Sequence, residues 1–185
     1  MGSILLTKEC LLSKIQQRNF GIKKKDYENM LSKFLNVNNF IWLNKGIKGD
    51  DTHGHIDDIC RFVSPDTIMT AIENNKKDVN YKILQTNLNI LKKAKNINGK
   101  NFNLIKIPMP KAIFINKIRV PASYLNFLIC NKSVLLPLFN DKNDKVVIKI
   151  FKKFFKTRKI IGIDCTNLIW GFGAIHCMTQ SEPSV

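Results

Sequence analysis

With 185 residues, 44% of them hydrophobic, the chain is long enough to bury one core, and we expect a single domain over residues 1–185. No run of about 18 apolar residues occurs, which argues against a membrane-spanning helix, and the N-terminus lacks the basic lead and cleavage site of a signal peptide. Five cysteines at irregular spacing, without a CxxC pair, do not form a disulfide framework. The sequence therefore favours the cytoplasm, where thiols stay reduced.

The charge is strongly basic, since 30 Lys and Arg residues against 14 Asp and Glu residues give a net charge of +16. One interpretation is a nucleic-acid or other anionic partner. The other interpretation is drift in amino-acid composition without a binding role. Lys, Asn and Ile are all encoded by A/T-rich codons, and all three are frequent along the whole chain. The lysines are scattered, and no helix-turn-helix, zinc-finger or RNA-recognition signature accompanies them. The sequence therefore favours drift over a nucleic-acid partner.

The apolar pattern alternates between strands and helices along the chain. Strands are predicted at residues 3–7, 40–43, 58–64, 67–71, 102–107, 121–129, 133–137 and 159–163. Helices are predicted at residues 25–35, 80–95 and 144–155. One face of the first helix carries Tyr27, Met30, Leu31, Phe34 and Leu35. This mixture, without a strict β-α-β order, predicts an α/β or α+β domain, and the regular recurrence of helices indicates a repeated unit.

The clearest chemical feature is Cys177, which follows His176 directly in a glycine-containing segment. Thiolate, rather than thiol, is the attacking form of cysteine, and it needs a positive neighbour, oriented amides or a cationic substrate. Gly171 and Gly173 would let the backbone approach a ligand closely just before it. Cys177 is therefore a candidate nucleophile, although it could also be one of several inert, buried cysteines.

A second candidate segment contains His55 and Asp57. Residues two apart on an extended segment project to the same face, so an imidazole and a carboxylate could line one pocket. The surrounding glycines and aspartates are also compatible with an ordinary polar turn. A metal site formed by His53, His55, Asp57 and Asp58 is a third interpretation, but the spacing matches no standard zinc or calcium motif, and we expect no metal or cofactor.

In combination, the motifs resemble the agmatine deiminase family, bacterial-type relatives of peptidylarginine deiminase within the pentein superfamily. The resemblance depends on WL at 42–43, GHID at 54–57, PASYLNF at 121–127 and IHCMTQ at 175–180, in this order. It extends over nearly the whole chain. Each motif alone is weak, and the ordered set is specific.

The resemblance implies a propeller of five ββαβ units around a central active site, of which this chain covers about the C-terminal three. It also implies hydrolysis of a C–N bond in agmatine, a linear amidine used in putrescine and polyamine metabolism, to N-carbamoylputrescine and ammonia. By this resemblance Cys177 is the nucleophile, His55 the general acid and base, and Asp57 a carboxylate that binds the guanidinium. Asn126 is expected to line the substrate site.

The sequence departs from the family pattern at several positions. Phe172 and Ala174 interrupt the glycine-rich run before the cysteine, and His53 stands where an acidic or amide residue is more usual. Family members are roughly twice as long, and their N-terminal portion supplies a further guanidinium-binding aspartate. Three hypotheses follow: an enzyme that needs a complementing N-terminal half or a homo-oligomer, an inactive remnant of such an enzyme, or a basic binding module for nucleic acid.

Overall fold

The computed structural model describes residues 2–15 and 18–182. Within these ranges the strands are β1 (Gly2–Thr7), β2 (Val37–Leu43), β3 (Cys60–Ser64), β4 (Thr67–Ile72), β5 (Asn103–Pro108), β6 (Ile113–Ile115), β7 (Ile118–Val120), β8 (Leu128–Ile129), β9 (Ser133–Leu138) and β10 (Lys159–Asp164). The α-helices are α1 (Lys8–Leu12), α2 (Lys24–Leu35), α3 (Asn80–Lys93) and α4 (Lys142–Phe154). Short 3-10 helices lie at Ile56–Asp58 and Leu168–Gly171.

One topological unit recurs along the chain. Two antiparallel strands are followed by an α-helix and by a third strand, which lies parallel to the second strand. Both β3-β4-α3-β5 and β8-β9-α4-β10 have this arrangement, with the second strand in the middle of the sheet. β1 and β2 form a parallel pair joined through α1 and α2, and β6 and β7 form a separate hairpin. The mixed α/β class is as the sequence predicts.

Helix α4 shows how local sequence determines an element. Asp141 caps its N-terminus by accepting a hydrogen bond from the backbone N–H of Asn143 (2.7 Å), and Asp144 accepts one from the backbone N–H of Asp141 (3.2 Å). This reciprocal arrangement satisfies amides that would otherwise lack partners at the helix start. Val147 and Phe151, four residues apart, lie on one face and are both fully buried.

Helix α2 forms where predicted, but its apolar face is largely uncovered. Tyr27 is buried, whereas Phe34 is 73% and Leu35 is 55% exposed. In α3, by contrast, Leu88 and Leu91 are buried. The periodicity of α2 therefore identifies an apolar face that no described part of the chain covers.

The predicted strand at 121–129 is wrong over most of its length. Only Leu128–Ile129 pairs as a strand, and the preceding residues form an irregular buried segment. The hydroxyl of Ser123 donates to the backbone carbonyl of Asp58 (2.7 Å) and accepts from the backbone N–H of Leu125 (3.2 Å). Such side-chain bonds replace a strand ladder, and the apolar pattern of a buried loop resembles that of a buried strand. Helix α1 and the hairpin of β6 and β7 were not predicted.

One hydrophobic cluster extends from Leu5 through both three-stranded sheets to Ile175. This continuity is compatible with the single domain predicted from the sequence. None of the helices in the described ranges combines the length and the apolar character that a membrane crossing requires.

Candidate active site

The loop after β2 is held in place by a buried carboxylate. One oxygen of Asp50 accepts the backbone N–H groups of Gly54 (2.7 Å) and His55 (2.8 Å). From β1, the hydroxyl of Thr7 donates to the carbonyl of Gly54 (2.5 Å). A side chain at Gly46 would place its Cβ 2.3 Å from the Cα of Gly54, so this close approach requires glycine. The loop thereby fixes His55 at the start of the 3-10 helix.

Asn126 connects the three segments that form the site. Its side-chain N–H groups face Asp57 Oδ2 (3.1 Å), Asp58 Oδ1 (3.0 Å) and the Sγ of Cys177 (3.0 Å). Its side-chain oxygen accepts the backbone N–H groups of Ala174 (3.1 Å) and Cys177 (3.2 Å), which fixes the orientation of the amide. Asn126 is 0% exposed, so the geometry makes it a residue that positions the others. A direct contact with substrate stays a prediction.

The segment after β10 brings the thiol to the carboxylates. The backbone N–H of His176 donates to the carbonyl of Asn126 (3.0 Å), and the thiol of Cys177 points at Asp57 Oδ2 at 3.4 Å. A Cβ on Gly173 would lie 2.6 Å from the Cβ of Cys177 and 3.2 Å from its Sγ, whereas one on Gly171 would meet nothing within 4 Å. The two predicted glycines thus differ: Gly173 makes room for Cys177 itself, and Gly171 lies in open space.

His176 provides a contact that sequence reasoning missed. Its Nδ1 lies 2.7 Å from Asp57 Oδ2, the same oxygen that faces the thiol. The sequence analysis named His176 only as the residue before Cys177 and predicted no role for it. Because one carboxylate oxygen is shared by an imidazole, an amide and a thiol, Asp57 is the centre of this cluster.

The two neighbouring carboxyl groups have opposite pKa shifts. Burial acts to raise the pKa of Asp57, but the hydrogen bond and charge of His176, the thiol of Cys177 and the charge of His55 outweigh it and lower the pKa below its usual value. Burial, together with the charges of Asp57 and Asp50, raises the pKa of Asp58 well above its usual value. Asp57 is therefore the ionised carboxylate of the pair.

The same environment keeps the thiol protonated in the absence of a cation. Burial raises the pKa of Cys177 to about 12, the negative charges of Asp57 and Asp58 act in the same direction, and the hydrogen bond from Asn126 opposes them. A positive ligand next to these carboxylates would cancel their field and favour thiolate.

His55 lies in the wall of a neighbouring cleft of about 360 Å³. The lining of this cleft includes Asp57, His176, Thr7 and Cys10 as well as His55. The Nη2 of Arg18 approaches His55 Nε2 at 2.7 Å. Because a guanidinium only donates hydrogen bonds, Nε2 would have to accept this one. The prediction that His55 and Asp57 share a pocket is consistent with the cleft, although a 3-10 helix rather than an extended segment connects them.

A metal interpretation finds no support within residues 2–15 and 18–182, where no group of three or more His, Cys, Asp and Glu side chains could hold an ion. The other cysteines vary in their surroundings. Cys60 and Cys165 are buried in the core, whereas Cys10 and Cys130 are partly exposed.

The chain belongs to the Porphyromonas-type peptidyl-arginine deiminase family, whose model matches residues 1–183. Relatives that match nearly the whole chain carry the name "Putative agmatine deiminase". The one from Legionella pneumophila (strain Paris) is 37% identical over 183 residues, covering 98% of this chain and 52% of the relative. The one from Latilactobacillus sakei subsp. sakei (strain 23K) is 34% identical over 201 residues, covering 99% and 54%. The chain therefore spans about half the length of the curated relatives it matches.

Solved structures give the same assignment. The agmatine deiminase of Enterococcus faecalis superposes with a TM-score of 0.91 at 30% identity, covering 98% of this chain and 54% of that structure. The agmatine deiminase of C. jejuni with substrate bound gives a TM-score of 0.86 at 34% identity, covering 95% and 50%. The fold of this chain is thus that of about half of an agmatine deiminase.

Proposed function

We propose that this chain carries the thiol-bearing half of an agmatine deiminase-type active site and hydrolyses a guanidino substrate when the rest of the site is supplied. The observation that carries the proposal is the contact of the Cys177 thiol with Asp57 Oδ2 at 3.4 Å, organised by Asn126. A nucleophile beside an ionised carboxylate is suited to attack on a cation. The names of the relatives point to agmatine as the substrate.

Binding and activation of the nucleophile would be coupled. A guanidinium stays protonated at physiological pH, so its carbon becomes attackable only when carboxylates hold its charge. Asp57, whose pKa is lowered, is the carboxylate available for this contact. The bound cation would lower the raised pKa of Cys177, and the thiol proton would pass to the imidazole of His55 once its Nε2 exchanges the contact with Arg18 for the thiol.

The reaction then requires two proton transfers by the same imidazole. The thiolate of Cys177 forms a C–S bond to the guanidinium carbon, and the C–N bond breaks as His55 delivers its proton to the departing ammonia. His55 next removes a proton from water, and the resulting hydroxide attacks the amidino carbon. The C–S bond breaks, which releases N-carbamoylputrescine and restores the cysteine. The consumed molecules are agmatine and water, and this scheme uses no metal or organic cofactor.

The chain spans only about half of its relatives, so we propose that activity requires a complementing N-terminal half or a homo-oligomer. In this proposal the chain supplies about three of five propeller units, and the remaining units close the ring around the cleft. The alternative is an inactive remnant. Phe172, in the left-handed region (φ 60°), and Ala174 both depart from the family pattern next to the nucleophile.

Ammonia release tests the proposal. The chain would be mixed with the part of the Legionella pneumophila relative that lies outside the matched 183 residues, and agmatine, free arginine and a peptide ending in arginine would be compared. We expect ammonia from agmatine and its loss, by at least about a thousandfold, in Cys177→Ala. His55→Ala and His176→Ala separate the two imidazoles, and only the former should abolish turnover.

If the chain and the complementing part form a complex that releases no ammonia, the result would favour the alternative that the chain is an inactive remnant. Turnover that survives Cys177→Ala would overturn the proposed nucleophile. Loss of activity in His176→Ala with normal activity in His55→Ala would transfer the acid and base role to His176.

A further inference from the structure

Arg61 is a partly buried cation beside the candidate site that the proposed reaction does not use. It lies in β3, shortly after Asp57 in the chain. Its Nη1 donates to the backbone carbonyls of Leu125 (3.3 Å) and Phe127 (3.0 Å), the residues on either side of Asn126. One nitrogen of the guanidinium therefore holds the backbone both before and after the amide that joins the site.

An aromatic ring fixes the position of this guanidinium. The Cζ of Arg61 lies 4.9 Å from the ring centre of Phe127, where the face of the ring attracts a cation. Phe127 is 0% exposed and packs edge-on against Phe151 of α4, with the ring centres 4.9 Å apart. The segment that Arg61 binds has no strand pairing before Leu128. Because no strand ladder sets its position, side-chain hydrogen bonds to its backbone do so.

The charge of Arg61 is coupled to the carboxylates of the site, but its hydrogen bonds go to the backbone. Burial lowers the pKa of Arg61, and the negative charges of Asp57 and Asp58 oppose this effect. The two hydrogens of Nη1 match the two carbonyls that it faces. Arg61 is therefore arranged as a clamp on the segment around Asn126.

We propose that Arg61 is a positioning residue of the candidate site and that it acts through Asn126. By holding the carbonyls on both sides, it keeps the side-chain amide of Asn126 directed at the Sγ of Cys177 (3.0 Å). It also keeps the backbone carbonyl of Asn126 directed at the N–H of His176 (3.0 Å). Burial raises the pKa of the Cys177 thiol, and the hydrogen bond from Asn126 acts to lower it. Loss of the clamp should therefore make the thiolate harder to form.

The inference deepens the proposed function, on which it rests only for the role of Cys177 in turnover. The test uses the full chain alone, without substrate, so the inference and the proposed function can fail separately. The rate at which iodoacetamide alkylates Cys177 at pH 8 is followed by peptide mass, because the thiolate is the reacting form. Cys177 is exposed, so access of the reagent does not limit this rate.

Arg61→Gln should slow alkylation about tenfold, as expected when a thiolate loses a hydrogen bond. In an Asn126→Ala background the same substitution should change the rate by less than about twofold, because the amide through which Arg61 acts is already absent. Arg61→Lys keeps the charge but loses the planar fork, so it should slow alkylation by a smaller factor, and only when Asn126 is present.

Arg158→Gln is the matched control. The Nε of Arg158 also donates to a backbone carbonyl, that of Cys130 (3.0 Å), and both arginines are partly buried. Since Cys130 does not belong to the segment around Asn126, this substitution should change the rate by less than about twofold. Unchanged amide hydrogen exchange over β4 shows that each variant is folded. If Arg61→Gln does not fold, Arg61→Lys replaces it in the comparison with Asn126→Ala.

Two results would overturn the inference. One is an alkylation rate in Arg61→Gln that equals that of the unsubstituted chain or that of Arg158→Gln. The other is slowing by the same factor with and without the side chain of Asn126, which would assign the effect to the charge of Arg61 acting directly on the thiol.

Discussion

Asn126 determines the geometry of the candidate site at the scale of single residues. It joins Asp57, Asp58 and Cys177, which belong to segments far apart in sequence, and it is fully buried. The sequence suggested that Asn126 belongs to the site through its motif. It gave no sign that the amide binds protein groups on both of its ends, because hydrogen-bond partners in a buried network depend on the tertiary fold.

Gly173 and Gly171 form a matched pair for testing the close approach to the nucleophile. Gly173→Ala would force Cβ into the Cβ of Cys177 at 2.6 Å, a contact that rotation of the thiol cannot relieve. We expect a loss of about 1–3 kcal/mol in the free energy of unfolding and a changed alkylation rate at Cys177. Gly171→Ala should stay within about 0.5 kcal/mol. Urea unfolding measures the free energy of unfolding of each variant, and peptide mass spectrometry measures its alkylation rate at Cys177. Equal effects of the two variants would refute the argument.

The raised pKa of Cys177 predicts a specific pH dependence. With a pKa of about 12, the thiolate fraction and the rate of reaction with iodoacetamide should increase about tenfold per pH unit from pH 7 to 10, without a plateau. Asp57→Asn removes a charge that raises this pKa, so reaction at pH 8 should be faster in the variant. Alkylation is assigned to Cys177 by peptide mass, and a plateau below pH 9 in the unmodified chain would contradict the prediction.

At the scale of secondary structure, helices were predicted better than the segments between them. The three long helices have clear apolar periodicity and end within two residues of the predicted positions. Residues 121–127 were assigned to a strand because a buried loop carries the same apolar pattern, and only the hydrogen bonds of Ser123 reveal the difference. Periodicity identified the apolar face of α2, but it could not show that no part of the chain that the structure describes covers that face.

The uncovered face of α2 gives a test at this scale. Leu35→Ala and Leu91→Ala delete the same atoms in the last turns of α2 and α3, at 55% and 1% exposure. Leu91→Ala should lower the free energy of unfolding by about 2–5 kcal/mol, since it leaves a cavity, and Leu35→Ala should change it by less than about 1 kcal/mol. Urea unfolding of the chain alone measures both free energies of unfolding. Similar losses in the two variants would show that the apolar face of α2 is covered.

At the scale of the whole molecule, the ordered motifs identified the family and the convergence of Asp57 with Cys177. The charge of +16 contributed less, because composition does not say which surface binds a partner. The sequence also did not reveal that, within the described ranges, β1 pairs with β2 alone, whereas the middle strands β4 and β9 have two neighbours each. That observation depends on the pairing pattern of the repeated units, which is a property of the sheets.

The most direct test of the central claim is a search for the covalent intermediate on Cys177. The chain, combined with the complementing part of the Legionella pneumophila relative, is incubated with agmatine, quenched in acid and digested for mass spectrometry. We predict that the peptide containing Cys177 gains the mass of agmatine less that of ammonia, and that His55→Ala, which removes the acid needed to expel ammonia, forms no such adduct. Turnover of agmatine by the unsubstituted chain without any adduct on Cys177 would contradict the account.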